Sequence, residues 1–286
     1  MKKFLHLILL SYLVLYSTSY GQVSPGARQI ALSHSDAALS NDVFALFTNP
    51  SGLAQINWRE LGVYYSPSPF GVNELANAYA AYIEPFSFGN IAIGYMQYGF
   101  ELYKENKIAL SFSTNIDNKF FVGVTGFYQN LSIERYGSDN TFTLNVGGLY
   151  YLSGITRVGL YAHNLFRATY GSDPDQIPFV LGFGASYDFS DEITFNGSVE
   201  KEIDFEPSFR FGVEYGIIEY LTLRSGFMSE PSSYSVGIGI HYSFLNLDYA
   251  FFSHPDLGLT HQMGIIIDFN PTSSRKEKIK QYLFSR

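Results

Sequence analysis

Along residues 59–269 apolar and polar side chains alternate in runs of about ten residues, each run closed by a short polar break. A period of two places one face of an extended strand against an apolar medium and the other against a polar one. In 192–202, Ile193, Phe195 and Val199 fall on one face, while Thr194, Asn196, Ser198, Glu200 and Glu202 fall on the other. The pattern predicts fourteen antiparallel strands, near 59–66, 75–84, 90–99, 107–115, 119–134, 141–152, 156–166, 179–189, 192–202, 208–216, 220–228, 234–243, 246–252 and 260–269. The breaks alternate in length. Ser190–Asp191 and Phe244–Leu245 are tight, whereas Phe100–Asn106, Arg135–Asn140 and Arg167–Pro178 are longer. Tight turns at one end and longer loops at the other are the arrangement of a transmembrane β-barrel, and an even strand count returns the C-terminus to the side of entry.

Composition supports a membrane wall. Of 286 residues 46% are hydrophobic and 17% aromatic, while only 15% are charged. No run after residue 21 is long and apolar enough for a membrane helix, so a spanning chain must cross as a closed sheet, with outer-membrane lipid around it. Lys2 and Lys3, the apolar run Phe4–Tyr16 and the small-residue site Ser19-Tyr20-Gly21 read as a cleaved export signal over 1–21. The expected location is the outer membrane of a Gram-negative bacterium, with both termini periplasmic. There is no cysteine, which excludes disulfides and a lipid-modified N-terminus. A net charge of −8, more acidic once Lys2 and Lys3 leave, argues against nucleic acid as a partner.

Fourteen tilted strands close a cylinder roughly 28 Å across, too wide for wall side chains to fill. The segment 22–58 is the available plug. Within it Ser35–Leu46 has helical spacing with Ser40, Asn41 and Asp42 as candidate caps, and Asn49-Pro50-Ser51-Gly52 breaks the chain before the first strand. Alternation turns Glu200, Glu202, Arg210, Glu214, Arg224 and Asp248 toward the lumen, where they form a candidate charged network that braces the wall. Phe86, Phe88, Tyr150, Tyr151, Tyr220 and Tyr242, together with Trp58, suit an aromatic girdle at the lipid headgroups. His163 and His241 lack the patterned partners that catalysis requires, so no enzymatic role and no cofactor is expected. His34 with Asp36, and His254 with Asp256 and His261, read as turn formers rather than metal ligands. The segment 270–286 is basic, with Arg275, Lys276, Lys278, Lys280 and Arg286 against Glu277, and it either extends into the periplasm or docks on a partner or on the acidic barrel.

Gly26-Ala27-Arg28 and the stretch Ser40–Ala54, including Asn49-Pro50-Ser51-Gly52-Leu53-Ala54, resemble the N-terminal hatch of FadL-type outer-membrane proteins, and more closely the PorV/PorQ family of Bacteroidetes. Phe211–Tyr215, Leu223–Gly226, Leu247–Phe251, Leu257–His261 and Phe269 are similar to that family's late strands. The resemblance implies a 14-stranded barrel with a hatch shaped by Asn49, Pro50 and Gly52. It also implies one of two functions. PorV-type members serve type IX secretion and surface attachment, with secreted proteins or secretion components as partners; FadL-type members pass small hydrophobic molecules inward through hatch movement and a gap in the wall. The first is the leading expectation and the second its alternative. A transporter should show an apolar path from an outer pocket to a lateral gap, and a secretion accessory a sealed hatch and an exposed rim.

Overall fold

The computed structural model describes residues 24–171, 177–203 and 205–284. The expected signal, 1–21, lies outside the described residues. Among those described, fourteen strands form one closed antiparallel barrel: β1 Glu60–Ser66, β2 Asn77–Phe86, β3 Gly89–Phe100, β4 Tyr103–Asn115, β5 Phe120–Ile133, β6 Gly137–Tyr151, β7 Thr156–His163, β8 Val180–Asp188, β9 Ile193–Glu202, β10 Ser208–Ile218, β11 Leu221–Ser229, β12 Ser232–Tyr242, β13 Leu245–His254 and β14 Gly258–Asp268. Each strand pairs with its neighbours in sequence, and β1 closes the ring by pairing with both β2 and β14, so that Tyr64 lies opposite Tyr79 on one side and Gly264 on the other. Closure leaves no free sheet edge, the condition for a sheet to stand in lipid.

The outward face is apolar. Ile93, Ile108, Leu110, Leu160, Phe183, Phe209 and Phe211 are exposed there, alternating with inward residues that are buried. Phe86, Phe88, Tyr150, Tyr220 and Tyr242 also face outward near the tight turns. Two aromatic expectations fail. Tyr151 follows the outward Tyr150, so strand geometry turns it into the lumen, where its hydroxyl donates to Gln55 Oε1 at 2.6 Å. Trp58 precedes β1 and is buried under the end of the barrel.

The strands at the loop end run farther than the hydrophobic pattern implies. β4 begins at Tyr103 and β6 at Gly137, so the connections after β3 and β5 shrink from expected loops to tight turns. Lys104, Asn106, Ser138 and Asn140 are polar yet laddered, because backbone pairing continues into water after lipid-facing character ends. β7, by contrast, stops at His163. The β6 residues Gly137–Asn145 therefore have only β5 as a ladder partner, apart from Leu144 O and Asn145 Oδ1, which accept from the Leu165 and Asn164 amides, and a notch opens in the ladder between β6 and β8.

Residues 24–58 fill the lumen, and nearly every residue from Pro25 to Ile56 is buried. Helix α1, Ala27–Ala31, is short; two 3-10 turns, Val43–Phe47 and Pro50–Gln55, follow. No helix forms over Ser35–Leu46 as a whole. Its apolar spacing instead serves contacts around the curved wall, and the chain turns at Ser33 and His34, both at positive φ. Asp42 does cap the first 3-10 turn, accepting from Phe44 N at 3.0 Å. At the opposite end of the chain, helix α2, Arg275–Phe284, packs beneath the hatch with Ile279 and Leu283 buried.

Candidate functional site

The lumen is the candidate site, and its first determinant is how closely the hatch meets the wall. Inward glycines recur where the two touch. A Cβ at Gly123 would stand 2.3 Å from the Pro50 carbonyl carbon, at Gly147 2.0 Å from Asn49 Oδ1, at Gly159 2.2 Å from Ala37 O and at Gly226 2.5 Å from Leu32 C. No side chain fits at such distances, so the hatch is seated against bare backbone on several sides. The hatch motif sets its own shape. Asn49 Nδ2 donates to Ala37 O at 2.8 Å, its Oδ1 accepts from Ser51 Oγ at 2.6 Å, and a Cβ at Gly52 would lie 1.8 Å from Ser40 O. Pro50 begins the second turn and lies against Gly123.

Around its circumference the lumen divides into two sectors. From β13 through β1 to β5 it is aromatic: the hatch ring of Phe47 meets Tyr79 at 5.1 Å and Phe127 at 6.1 Å, Tyr79 meets Tyr64 at 5.7 Å, and Tyr98 meets Tyr103 at 6.3 Å. Phe70, from the first long loop, folds inward onto Phe252 at 5.7 Å. Between β7 and β13 the lumen is charged. Arg210 pairs with Glu200, which also accepts from Tyr161 Oη at 2.5 Å. Arg224 bridges Glu214 at 2.7 Å and Asp248 at 2.5 Å. Glu202 stands two residues farther toward the loop end than Glu200, opposite Val180.

Four contributors, Arg28, Arg157, Asp188 and Glu60, escaped the sequence reading. Arg28 of α1 reaches Glu214 at 2.8 Å and Asp42 at 3.3 Å, tying the hatch into the wall network. The six inward residues chosen from alternation hold two arginines against four acids, an imbalance that called for a cation from elsewhere. Arg157 and Asp188 form a second buried pair at 3.1 Å, nearer the terminal end than the Arg210–Glu200 pair and lining the same cleft as Glu214. Glu60, wholly buried at the start of β1, accepts from Trp58 Nε1 at 2.7 Å and Val43 N at 3.1 Å and pairs with Arg275 of α2 at 2.6 Å. The same helix places Lys278 over the Trp58 ring at 3.9 Å and against Asp268, and Lys280 on Asp191 at 2.7 Å. Arg275 also donates to Asn41 O of the hatch at 2.8 Å, so α2 braces hatch and rim together.

Two titratable hatch groups stand out. Burial, helped by the Arg210 charge, pushes His34 down to about 3, and burial with Asp42 nearby pushes Asp36 up to about 6. His163 bonds Thr48 O at 2.6 Å and stacks on Tyr161, while His241 bonds Thr222 and Asn246. His254 Nδ1 accepts from the Asp256 and Leu257 amides, whereas His261 bonds Tyr249, so these side chains serve local turns and strands. Among the described residues no three metal-ligating side chains converge.

No family model matches the chain, and no curated protein matches it. Solved structures do. The CymD monoaromatic hydrocarbon channel aligns with a TM-score of 0.65 at 13% identity, covering 88% of this chain and 99% of that one. The Pseudomonas putida toluene transporter TodX aligns at 0.65 and 11%, covering 87% and 98%, and a Pseudomonas aeruginosa FadL homologue at 0.62 and 12%, covering 87% and 99%. At such identities the likeness speaks for the fold, and the PorV/PorQ expectation finds no support in it. The chain has the fold of the FadL-like 14-stranded outer-membrane barrels.

Proposed function

We propose that this barrel sits in the outer membrane and takes small hydrophobic molecules from outside into its aromatic sector, without covalent chemistry. The observation that carries the reading is the sector itself, in which Tyr64, Tyr79 and Phe127 gather around Phe47 of the hatch, with Tyr98 and Phe252 partly buried beside them. Aromatic faces offer an apolar or aromatic molecule large contact area at little entropic cost. The hydrocarbon channels that share this fold add weight. The notch between β6 and β8 is the place where a lateral exit breaks the fewest ladder hydrogen bonds, and Phe142, Leu165 and Phe166, all exposed, flank it with apolar surface. In this reading residues 1–21 are removed on export, 24–58 form the hatch shaped by Asn49, Pro50 and Gly52, and the end that carries both termini faces the periplasm with α2 as its brace.

One observation favours a second reading. The hatch is seated on the wall and the ladders from β14 through β1 to β6 are unbroken, as a secretion or surface-attachment accessory would show. Binding of radiolabelled toluene to the purified barrel separates the two. The transport reading expects saturable binding that Tyr98→Ala weakens by up to about tenfold, the value of one aromatic contact. Absence of saturable binding, with other proteins retained on the barrel purified from native membranes, would overturn it in favour of the accessory reading.

A further inference from the structure

Buried polar atoms in folded proteins almost always have hydrogen-bond partners, and each exception costs on the order of 1–3 kcal/mol. In this protein the exceptions cluster. Among the described residues, seven such atoms belong to one sector of the hatch and wall: both ring nitrogens of His34, Oδ2 of Asp36, Oγ of Ser186, both amide atoms of Asn196 and Nε of Arg157. Asp36, Ser186, Asn196 and Arg157 are each at least nine-tenths buried.

Strand register puts the wall members side by side. Arg157 lies opposite Ser186, and Ser186 opposite Asn196, on the adjacent strands β7, β8 and β9. The hatch members face them. Ser35 lies against Gly212 of β10, and Ala37 lies against Gly184 of β8 and Gly159 of β7, so the residue between, Asp36, falls on β9, which carries Asn196 and Ser198. His34 is one step nearer the loop end, its carbonyl accepting from Ser198 Oγ at 3.5 Å. The two ends of this column are open to polar surroundings. At the loop end it reaches the Arg210–Glu200 pair, and at the terminal end Arg157, Asp188 and Thr194 line a cleft of about 70 Å³ beneath the hatch.

The chemistry along the column is that of a solvated path. Asparagine and serine both donate and accept, neutral histidine does each once, and an aspartate accepts only. Asp36 has no ion pair among the described residues, while the arginines at both ends are neutralised by Glu200 and Asp188. At the terminal end Asp188 is shared with Lys276, and the cleft there sets Arg28, Arg157, Arg275, Lys276 and Lys280 against Asp188 and Glu214, so the column offers water charged groups of both signs. Directly across the lumen the hatch meets β1–β5 through Phe44, Leu46, Leu53, Ala81 and Phe121, all buried, and the unpartnered polar atoms on those strands, Asn77 Oδ1 and Ser113 Oγ, lie on separate, non-adjacent strands.

We propose that this column is a water-filled passage between the hatch and strands β7–β9, joining the outer lumen to the cleft at the terminal end. It is separate from the aromatic sector and independent of whether that sector takes up hydrophobic molecules. The hatch then closes the barrel to all but the smallest species while leaving a thread of solvent through one side.

The absence of cysteine makes the test direct. Single cysteines are placed at Ser186 and Asn196 in the column and at Ala81 on the apolar side, in the full-length barrel in liposomes. The folded barrels are exposed to silver ion, a small thiol-reactive cation, and the thiols left free are counted with a maleimide after denaturation. Ser186→Cys exchanges one oxygen for sulfur, so folding is retained, and heat-modifiable gel mobility checks all three. The expected result is modification at Ser186→Cys and Asn196→Cys at least tenfold faster than at Ala81→Cys. Equal rates at all three positions would overturn the proposal. As an independent measurement, liposomes carrying the cysteine-free barrel should swell faster than empty ones after a drop in external osmolarity, and Ser186→Val should lower that rate severalfold; swelling no faster than in empty liposomes would equally overturn it.

Discussion

The two sides of the hatch solve one problem by opposite means. Against β1–β5, residues Val43–Ile56 bury Phe44, Leu46, Phe47 and Leu53 in a continuous apolar cluster with Tyr79, Ile83, Met96 and Phe121. Against β7–β13, residues Ala27–Asp42 are held by Arg28, Glu214, Arg224 and Asp248, with unpartnered polar atoms beside them. The apolar side is non-directional and dry, so it seals. The polar side is directional and needs partners for every group, so it orients the hatch and admits solvent. A plug built only of the first kind could settle in several rotations inside a barrel of similar strands; the charge pairs select one.

The contrast can be broken at the level they share, the bare backbone where hatch meets wall. Gly123→Val would drive a side chain into Pro50 and Ser51, and the hatch must leave or the barrel distort. The expected outcome is the largest of the set, a hatch no longer seated, read as a jump in bilayer conductance and digestion of residues 24–58 by added protease. Gly126→Val on the same strand, where an added Cβ meets nothing within 4 Å, should leave both readouts unchanged.

Next come the two sectors separately. Phe47→Ala empties a packed site and should cost about 3–5 kcal/mol in urea unfolding. Arg224→Met, whose guanidinium joins two acids with its side chain 2% exposed, should cost a similar amount because Asp248 is left buried and charged. The sectors differ in the second step. Adding Asp248→Leu to Arg224→Met should restore part of the loss, since the stranded charge is gone, whereas no second truncation beside Phe47→Ala should restore anything. Equal and additive losses in both sectors would dissolve the distinction.

The smallest effect concerns α2. Lys280, hydrogen-bonded to Asp191 in the β8–β9 turn, holds that carboxyl below its usual range. A carboxylate with a depressed folded pKa stabilises the docked state above its ordinary pKa of 3.8, and the contribution is lost as pH falls through the folded value. Docking of α2 should therefore loosen below about pH 4. Trp58, the single tryptophan, lies under Lys278 and Arg275 and reports the change as a shift in emission. Asp191→Asn should remove the part of that shift that Asp191 contributes.

Much of the wall was legible because a strand's side chains alternate whatever lies around them. The phase read from 192–202 assigns Glu200, Arg210, Glu214, Arg224 and Asp248 to the inner face, and in the structure they stand there. Strand ends were harder. Lys104 and Ser138 look like loop residues because their polarity reflects water on both faces, while their backbone remains paired. Tyr151 and Trp58 were misread for a related reason: aromatic rings suit both a headgroup girdle and a packed plug, and composition does not separate them. Within the site, Arg28 and Glu60 were beyond a reading by strand phase, because their partners lie 186 and 215 residues away in sequence.

By itself the sequence determined that this chain is a wall of fourteen alternating strands with a segment left over to fill it, since periodicity and chain length are local quantities. Only the tertiary structure decided how the filling meets the wall. Which glycines touch the hatch, which half of the lumen is aromatic and which charged, and where polar atoms go unpartnered all depend on the rotation of residues 24–58 inside a closed ring. That rotation is set by pairs such as Arg28 with Glu214, formed between residues that no local pattern connects.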